Sequence, residues 1–404
     1  MSFERVVVVG GSLAGLRTVE ALRREGFDGS ITVLGAEAHL PYDRPPLSKE
    51  VLAGKWDAER TALRREESYG ELGAEWRLGQ PATALDLAGR AVVAGNERLP
   101  FDAVVIATGA EPRMLPNPAA LGGIHALRTL DDCLAVRSAL DAGARVAVVG
   151  AGFIGGEVAA TARTRGLDVS LIEALPVPLE RAIGAEMGRN VARVHEDHGV
   201  DVRLGTSVEA FEGGQRVERV RLGDGSAIAA DVVVVGIGVA PRTDWLNDSG
   251  LSIDNGVVCD ERCRATGADG TIVPGVFAVG DVVRWTNPRY AESMRIEHWT
   301  HATESADAVA AAILSGDGAE PYSPIPYFWS DQFDVKIQYA GRARPEDEMR
   351  VVDGAVDDRR FVALYGREDR ITGVLGFSRP RLVMKYRRMM RDGVGFTEAS
   401  EGGA

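Results

Sequence analysis

Cysteine is scarce in this chain, with only Cys133, Cys259 and Cys263 among 404 residues. That rules out a disulfide framework. Cys259 and Cys263 have three residues between them, which is neither a C-x-x-C dithiol nor half of a zinc site. All three read as structural thiols, and none is expected near the helices of the first nucleotide-binding unit described below. His298 and His301 form an H-x-x-H without cysteines or a carboxylate cluster nearby, so no metal site is assigned. Positive charge is in deficit: 46 Lys and Arg stand against 59 Asp and Glu, a net charge of -13 with a pI near 5.1. A general nucleic-acid or anionic-membrane role is therefore excluded. Long apolar runs are missing too, Val232 to Ala240 for example being far short of a bilayer span. Met1 to Arg5 runs directly into a strand and leaves no room for a signal peptide, so a soluble cytoplasmic protein is expected. The length suffices for two or three domains, each with its own core.

What the chain does have is a duplicated glycine turn. The first follows Val6-Val7-Val8-Val9 and reads Gly10-Gly11-Ser12-Leu13-Ala14-Gly15; the second follows Val146-Ala147-Val148-Val149 and reads Gly150-Ala151-Gly152-Phe153-Ile154-Gly155. In each, a buried strand enters a turn that lets the backbone approach a pyrophosphate, and a helix then offers free N–H groups and a partial positive charge to it. Glu37 follows Gly15 by 22 residues and Glu173 follows Gly155 by 18, each at the end of a second strand where an acid accepts from a ribose hydroxyl pair. Each unit closes with an Asp-led apolar strand, Asp102 to Gly109 and Asp231 to Gly238. Two such units imply two dinucleotides and an enzyme that passes electrons between them. The first turn carries Ser12 where a second glycine is usual, and its Cβ narrows the tolerance for close approach.

The order of elements indicates an inserted unit. Val273 to Asp281 reads as a buried strand ending in Gly280-Asp281 and falls after the second unit, so the first sheet is completed by residues beyond about 241. The expected fold is α/β, with an FAD-type domain over 1–109 and 241–321, an NAD-type domain over 110–240, and a C-terminal α+β domain over 322–404. Thr129-Leu130-Asp131-Asp132 reads as a capping box opening a helix through Leu140. Ala302 to Leu314 reads as another helix, ended by Gly316. Pro321, Pro324 and Pro326 mark a linker. Beyond it, Phe333–Tyr339, Arg360–Tyr365 and Ile371–Phe377 predict a three-stranded antiparallel sheet. A basic helix from Arg381 to Arg391 follows, and the tail from Glu401 is expected to be disordered.

With these residues in view, the chain resembles the FAD-dependent, NADH-linked ferredoxin reductases of bacterial oxygenase systems, the putidaredoxin reductase type. The resemblance rests on Pro41-Tyr42-Asp43-Arg44-Pro45-Pro46-Leu47-Ser48-Lys49, Ala107-Thr108-Gly109, Gly280-Asp281, Arg295-Ile296-Glu297-His298-Trp299 and Phe328-Trp329-Ser330-Asp331-Gln332. It implies a glutathione-reductase-like architecture with noncovalent FAD and NADH as cofactors. It further implies that Gly10, Ser12, Leu13, Ala14 and Gly15 carry the FAD pyrophosphate, Glu37 its ribose and Ala82 the adenine edge. Arg44 and Arg128 would meet the cofactor's charged parts, and Thr108, Gly109, Gly280 and Asp281 its central portion. Glu297, His298, Trp299 and Trp329 would belong to the flavin surroundings. Gly150, Gly152, Phe153, Ile154, Gly155, Glu173 and Gly238 would hold NADH. Lys49 and Glu157 would pair beside the reacting flavin atom; read without the family, they are a solvated lysine and a helix-start glutamate favoured by the dipole.

The resemblance implies a two-iron ferredoxin as electron acceptor. A disulfide reductase would need a thiol beside the flavin, and Tyr42 to Leu52 contains none. An NADH-sensing flavoprotein of the apoptosis-inducing-factor type and a reductase of small acceptors such as monodehydroascorbate share the same cofactor segments. Glu173 predicts a preference for NADH over NADPH. Residues 379–391 carry six basic residues and no acid. Arg381, Lys385 and Arg388 fall on one helical face there as a candidate ferredoxin-docking surface, with Leu382 and Met389 expected to pack inward.

Overall fold

A computed structural model of the chain describes residues 3–117, 119–143 and 145–402. Among these are seven α-helices: α1 (Leu13–Arg24), α2 (Leu130–Asp141), α3 (Phe153–Thr164), α4 (Glu180–Asp197), α5 (Trp299–Ser315), α6 (Pro380–Asp392) and α7 (Phe396–Glu401). The chain divides into two compact units, one of 1–43, 62–111 and 240–326, the other of 44–61, 112–239 and 327–404.

The first unit is built on a nine-stranded sheet. Its parallel part runs, in spatial order, Ile272–Ala278, Ala103–Ile106, Arg5–Val9, Ser30–Leu34 and Ala74–Arg77. Strands Ala103–Ile106 and Val6–Val9 are uninterrupted apolar runs because both their faces are covered. The late strand Ile272–Ala278 pairs in parallel with Ala103–Ile106, Val276 opposite Val104, so the far end of the sequence completes the first sheet. Helix α5 packs on α1. It starts at Trp299, one turn before the predicted Ala302, and Gly316 caps it with a φ of 57°.

The second unit repeats the plan with a five-stranded parallel sheet. Its order is Asp201–Leu204, Val169–Glu173, Val146–Val149, Val232–Val235 and Ile124–His125. The capping box is present in full: Asp132 N–H donates to Thr129 Oγ1 at 3.1 Å, and Thr129 N–H donates back to Asp132 at 2.8 Å. The C-terminal sheet has five antiparallel strands, not three, in the order Tyr327–Gln332, Val335–Gly341, Arg370–Phe377, Arg360–Arg367 and Glu348–Ala355. Glu348–Ala355 escapes a pattern search because it is an edge strand with no buried residue, and Phe333-Asp334 is a turn between strands. Tyr327–Gln332 alternates as a strand should, but two of its three inward residues are polar, Ser330 and Gln332.

Helix α4 lays Ile183, Met187, Val191 and Val194 against this sheet in one core with Phe328, Ile337, Phe361 and Phe377. On α6 the inward stripe is Val383, Tyr386 and Met390, while Leu382 and Met389 are only half-buried. The predicted inward pair is thus one position off. Glu401, the expected start of a disordered tail, ends α7, whose Phe396 and Ala399 are buried, and residues 403–404 lie outside the described residues.

Candidate functional site

Both glycine turns have the same construction. A Cβ on Gly15 would lie 1.9 Å from the carbonyl oxygen of Gly10, and one on Gly155 would lie 1.9 Å from that of Gly150. Each helix can therefore begin tight against its own strand only with glycine there, the close turn that a pyrophosphate-binding helix start requires. Ser12 and Gly152 are the equivalent N-caps of α1 and α3. Ser12 sits at φ -120°, ψ -159°, extended backbone open to any residue, so serine here imposes no strain. Within each turn Leu13, Ala14, Phe153 and Ile154 open the helix, and Ile154 remains exposed.

In the first unit Glu37 follows its strand and accepts from the Tyr42 hydroxyl. Thr108 Oγ1 donates to the Arg242 carbonyl at 2.8 Å, and Gly109 follows it. Gly280 N–H donates to Ser305 Oγ at 3.1 Å, and a Cβ on Gly280 would stand 3.0 Å from that of Ala14, so Gly280 and the first turn adjoin. The Asp281 carbonyl accepts from Arg295 at 3.1 Å, and Arg295 pairs with Glu297 at 2.7 Å. His298 is the N-cap residue of α5 and half-buried, and desolvation lowers its pKa to about 4. Trp299 opens the helix with its indole N–H on Asp43 at 2.8 Å. Ala82 packs partly buried on the same core. The residues that the resemblance brings to FAD in this unit therefore cluster along the carboxyl ends of the sheet and the start of α5.

Four others implied for FAD pack within the second unit. Arg44 donates to the Arg128 carbonyl at 2.5 Å, and Arg128 N–H donates to Asp132. Trp329 lies half-buried with its ring stacked near Tyr327. Lys49 is the fourth. Its ammonium lies 2.8 Å from Glu157 Oε2, the two side chains being only 14 % and 6 % exposed. That excludes a solvated lysine and a dipole-favoured surface glutamate. The carboxylate has three further donors: Ser48 Oγ at 2.5 Å on Oε2, with Ser330 Oγ at 2.9 Å and Asp331 N–H at 3.2 Å on Oε1. Ser48, Ser330 and Asp331 were not singled out from sequence. All three sit in the family motifs, and for Ser330 the visible signal was a polar residue at an inward strand position.

Glu173 is latched to the second turn: Oε2 accepts from Ala151 N–H at 2.7 Å and Oε1 from Leu175 N–H at 2.9 Å. Gly238 sits at φ 94° with open space on its side-chain side. One thiol departs from expectation. Cys133, far from Tyr42–Leu52 in sequence, donates its Sγ–H to the Leu47 carbonyl at 3.1 Å, because α2 packs on that segment. Burial pushes this thiol up to about 12, so it is inert as a nucleophile. Cys259 and Cys263 are fully buried and raised further. His301 stacks on Trp285 and bonds the Tyr322 hydroxyl.

The family profile described as pyridine nucleotide-disulphide oxidoreductase matches residues 4–306, and that described as reductase C-terminal matches 327–401. The chain belongs to the pyridine nucleotide-disulphide oxidoreductase family. Among its relatives, rhodocoxin reductase of Rhodococcus erythropolis is 36% identical over 388 residues, 95% of this chain and 89% of that one. A ferredoxin–NAD(+) reductase subunit of a benzene 1,2-dioxygenase system in Pseudomonas putida is 35% identical, covering 93% and 90%. Putidaredoxin reductase, solved in a covalent complex with putidaredoxin, superposes with a TM-score of 0.91 at 33% identity over 99% of this chain and 96% of that one. This oxidoreductase thus has the α/β flavoprotein fold with an added C-terminal domain, and none of its helices among the described residues is long and apolar enough to cross a membrane.

Both nucleotide sites fit their groups. In each turn only glycine lets the helix start lie this close to the strand, and an acid, Glu37 or Glu173, follows the second strand of each unit. In the second unit that acid is held on the turn itself.

Proposed function

We propose that this chain is an NADH-dependent ferredoxin reductase serving an oxygenase. One observation carries the reading: the chain builds two dinucleotide turns of the same construction, while every cysteine it has is buried and too basic to relay electrons. FAD, when bound, would supply the exchange between a two-electron hydride donor and the one-electron steps that a two-iron acceptor requires. The relatives' names, ferredoxin–NAD(+) reductase and rhodocoxin reductase, support that acceptor.

The chain's residues bind and orient. Residues 1–109 and 241–321 serve FAD through the Gly10–Gly15 turn, Glu37, Ala82, Thr108, Gly109, Asp281 and the Glu297-His298-Trp299 segment. Arg44, within the same stretch, adds a contact, and Arg128 and Trp329 are assigned to FAD from the remaining chain. Residues 110–240 serve NADH through Gly150–Gly155, Glu173 and Gly238. Lys49 and Glu157 orient the nicotinamide and set the charge at the reacting centre; no general acid is needed. The site of work is the cytoplasm.

The test is the chromophore. Purified protein is expected to be yellow and to bleach with NADH, and heat or acid should release all its flavin as FAD. Flavin kept on the denatured chain, or FMN in the supernatant, overturns the cofactor assignment.

A further inference from the structure

Behind the Lys49–Glu157 pair lies a line of buried polar groups with no part in binding a nucleotide. Ser330 Oγ donates to Glu157 Oε1 at 2.9 Å, Gln332 Nε2 donates to Ser330 Oγ at 3.1 Å, and Gln332 Oε1 accepts from His195 Nε2 at 2.8 Å. Ser330, Gln332 and His195 are 0 %, 1 % and 1 % exposed. They come from two elements, the strand Tyr327–Gln332 and helix α4, and they converge on α3. Gly156, the neighbour of Glu157, makes room for them: a Cβ there would lie 2.7 Å from Gln332 Nε2. Three polar side chains at fully buried positions cost stability unless each is satisfied, and hydrophobic residues would pack there with less penalty. Their arrangement calls for a role.

We propose that Ser330, Gln332 and His195 are positioning residues for Glu157, forming a one-way chain of hydrogen bonds that holds the carboxylate toward Lys49. The direction follows from proton counting. A serine has one proton to give. With the amide NH2 of Gln332 facing it, Ser330 accepts from Gln332 and spends that proton on Glu157. With the amide reversed, the Gln332 carbonyl would compete for the same proton, and Glu157 Oε1 would keep only Asp331 N–H at 3.2 Å. His195 decides between the two. Burial pushes its pKa down to about 4, so the ring is neutral at pH 7 and carries a single N–H. Its Nδ1 is buried with no partner among the described residues, whereas Nε2 faces Gln332 Oε1. Placing the proton on Nδ1 would bury an unsatisfied donor, and Nε2 could then bond Gln332 only with the amide reversed, which turns the Gln332 carbonyl toward Ser330 and draws its proton from Glu157. The ring therefore donates from Nε2, Gln332 is turned with its NH2 toward Ser330, and Ser330 is turned toward Glu157. This rests on the reading that the Lys49–Glu157 pair serves hydride transfer.

The experiment uses the FAD-loaded protein and two readouts. One is the limiting rate of flavin bleaching and the NADH Kd, from stopped flow at varied NADH. The other is the imidazole nitrogen NMR spectrum of His195. Ser330→Ala and Gln332→Leu should each lower the limiting rate about tenfold, the worth of one hydrogen bond to a charged group, while the NADH Kd moves by no more than roughly twofold. Ser330→Thr, which keeps the hydroxyl, should restore the rate. Neither loss should add to that of Glu157→Gln, because all act through one carboxylate. The His195 spectrum should show a neutral ring protonated at Nε2. Native rates in both Ser330→Ala and Gln332→Leu beside a slow Glu157→Gln would overturn the proposal and leave the pair's role standing. So would a native ring protonated at Nδ1. An unchanged rate in Glu157→Gln would overturn the reading of the pair and the proposal with it.

Discussion

Lys49 shares its carboxylate with two serine hydroxyls and a backbone N–H, so removing its ammonium does not leave Glu157 without partners. Lys49→Ala is therefore expected to slow flavin reduction by NADH in stopped flow far more than it weakens FAD retention. A native bleaching rate would reduce Lys49 to a packing residue. Glu173 gives a second prediction. Its carboxylate is fixed on the Ala151 and Leu175 N–H groups, where it would repel a 2′-phosphate, and the nearby Arg203 is committed to Asp201. NADPH should show a kcat/KM lower by about tenfold or more, and Glu173→Ala with an arginine at Val177 should narrow the gap. Equal constants for the two nucleotides would contradict the assignment. Both residues were legible in the sequence, Glu173 from its spacing after the turn and the Lys49–Glu157 pair only through family resemblance. Ser48, Ser330 and Gln332 were not, because a hydroxyl or amide in a strand carries no sign of which carboxylate it will face.

Strand–turn–helix units announce themselves because every position is under one local rule: apolar strand, glycine turn, helix. The C-terminal sheet was only partly legible for the opposite reason. Its edge strand Glu348–Ala355 buries nothing and so lacks the alternation that identifies a strand. Helix α6 shows how far a pattern carries. Its basic face was readable, while the inward stripe shifted to Val383, Tyr386 and Met390. Arg381, Lys385 and Arg388 are exposed, and among the described residues Arg381 and Arg388 have no ion-pair partner. Such a stripe on an acidic protein can steer an acidic ferredoxin over a Debye length of roughly 8 Å. Reversing the charge at Arg381 and Arg388 should raise the KM for ferredoxin roughly fivefold at low salt and leave the KM for NADH unchanged. An unchanged ferredoxin KM places docking elsewhere.

Across the whole molecule, three desolvated histidines tie stability to acidity. Burial lowers the pKa of His195 and His298 to about 4 and that of His301 to about 3. The unfolded chain binds protons near pH 6.5 and the folded one does not. Stability is thus full above that value and falls as the pH drops toward 4, by up to roughly 1.4 kcal/mol per pH unit for each histidine. Urea unfolding at pH 7.5 and 5 checks this, and equal midpoints would contradict it. Duplicated dinucleotide units, buried thiols and a buried Lys–Glu pair together describe a molecule that moves electrons without using a thiol. What separates a ferredoxin reductase from a diaphorase or a monodehydroascorbate reductase is the acceptor. The decisive measurement compares steady-state NADH oxidation with a two-iron ferredoxin against that with small quinones and ascorbyl radical. The account predicts the higher kcat/KM with the ferredoxin; a higher value with a quinone or ascorbyl radical would contradict it.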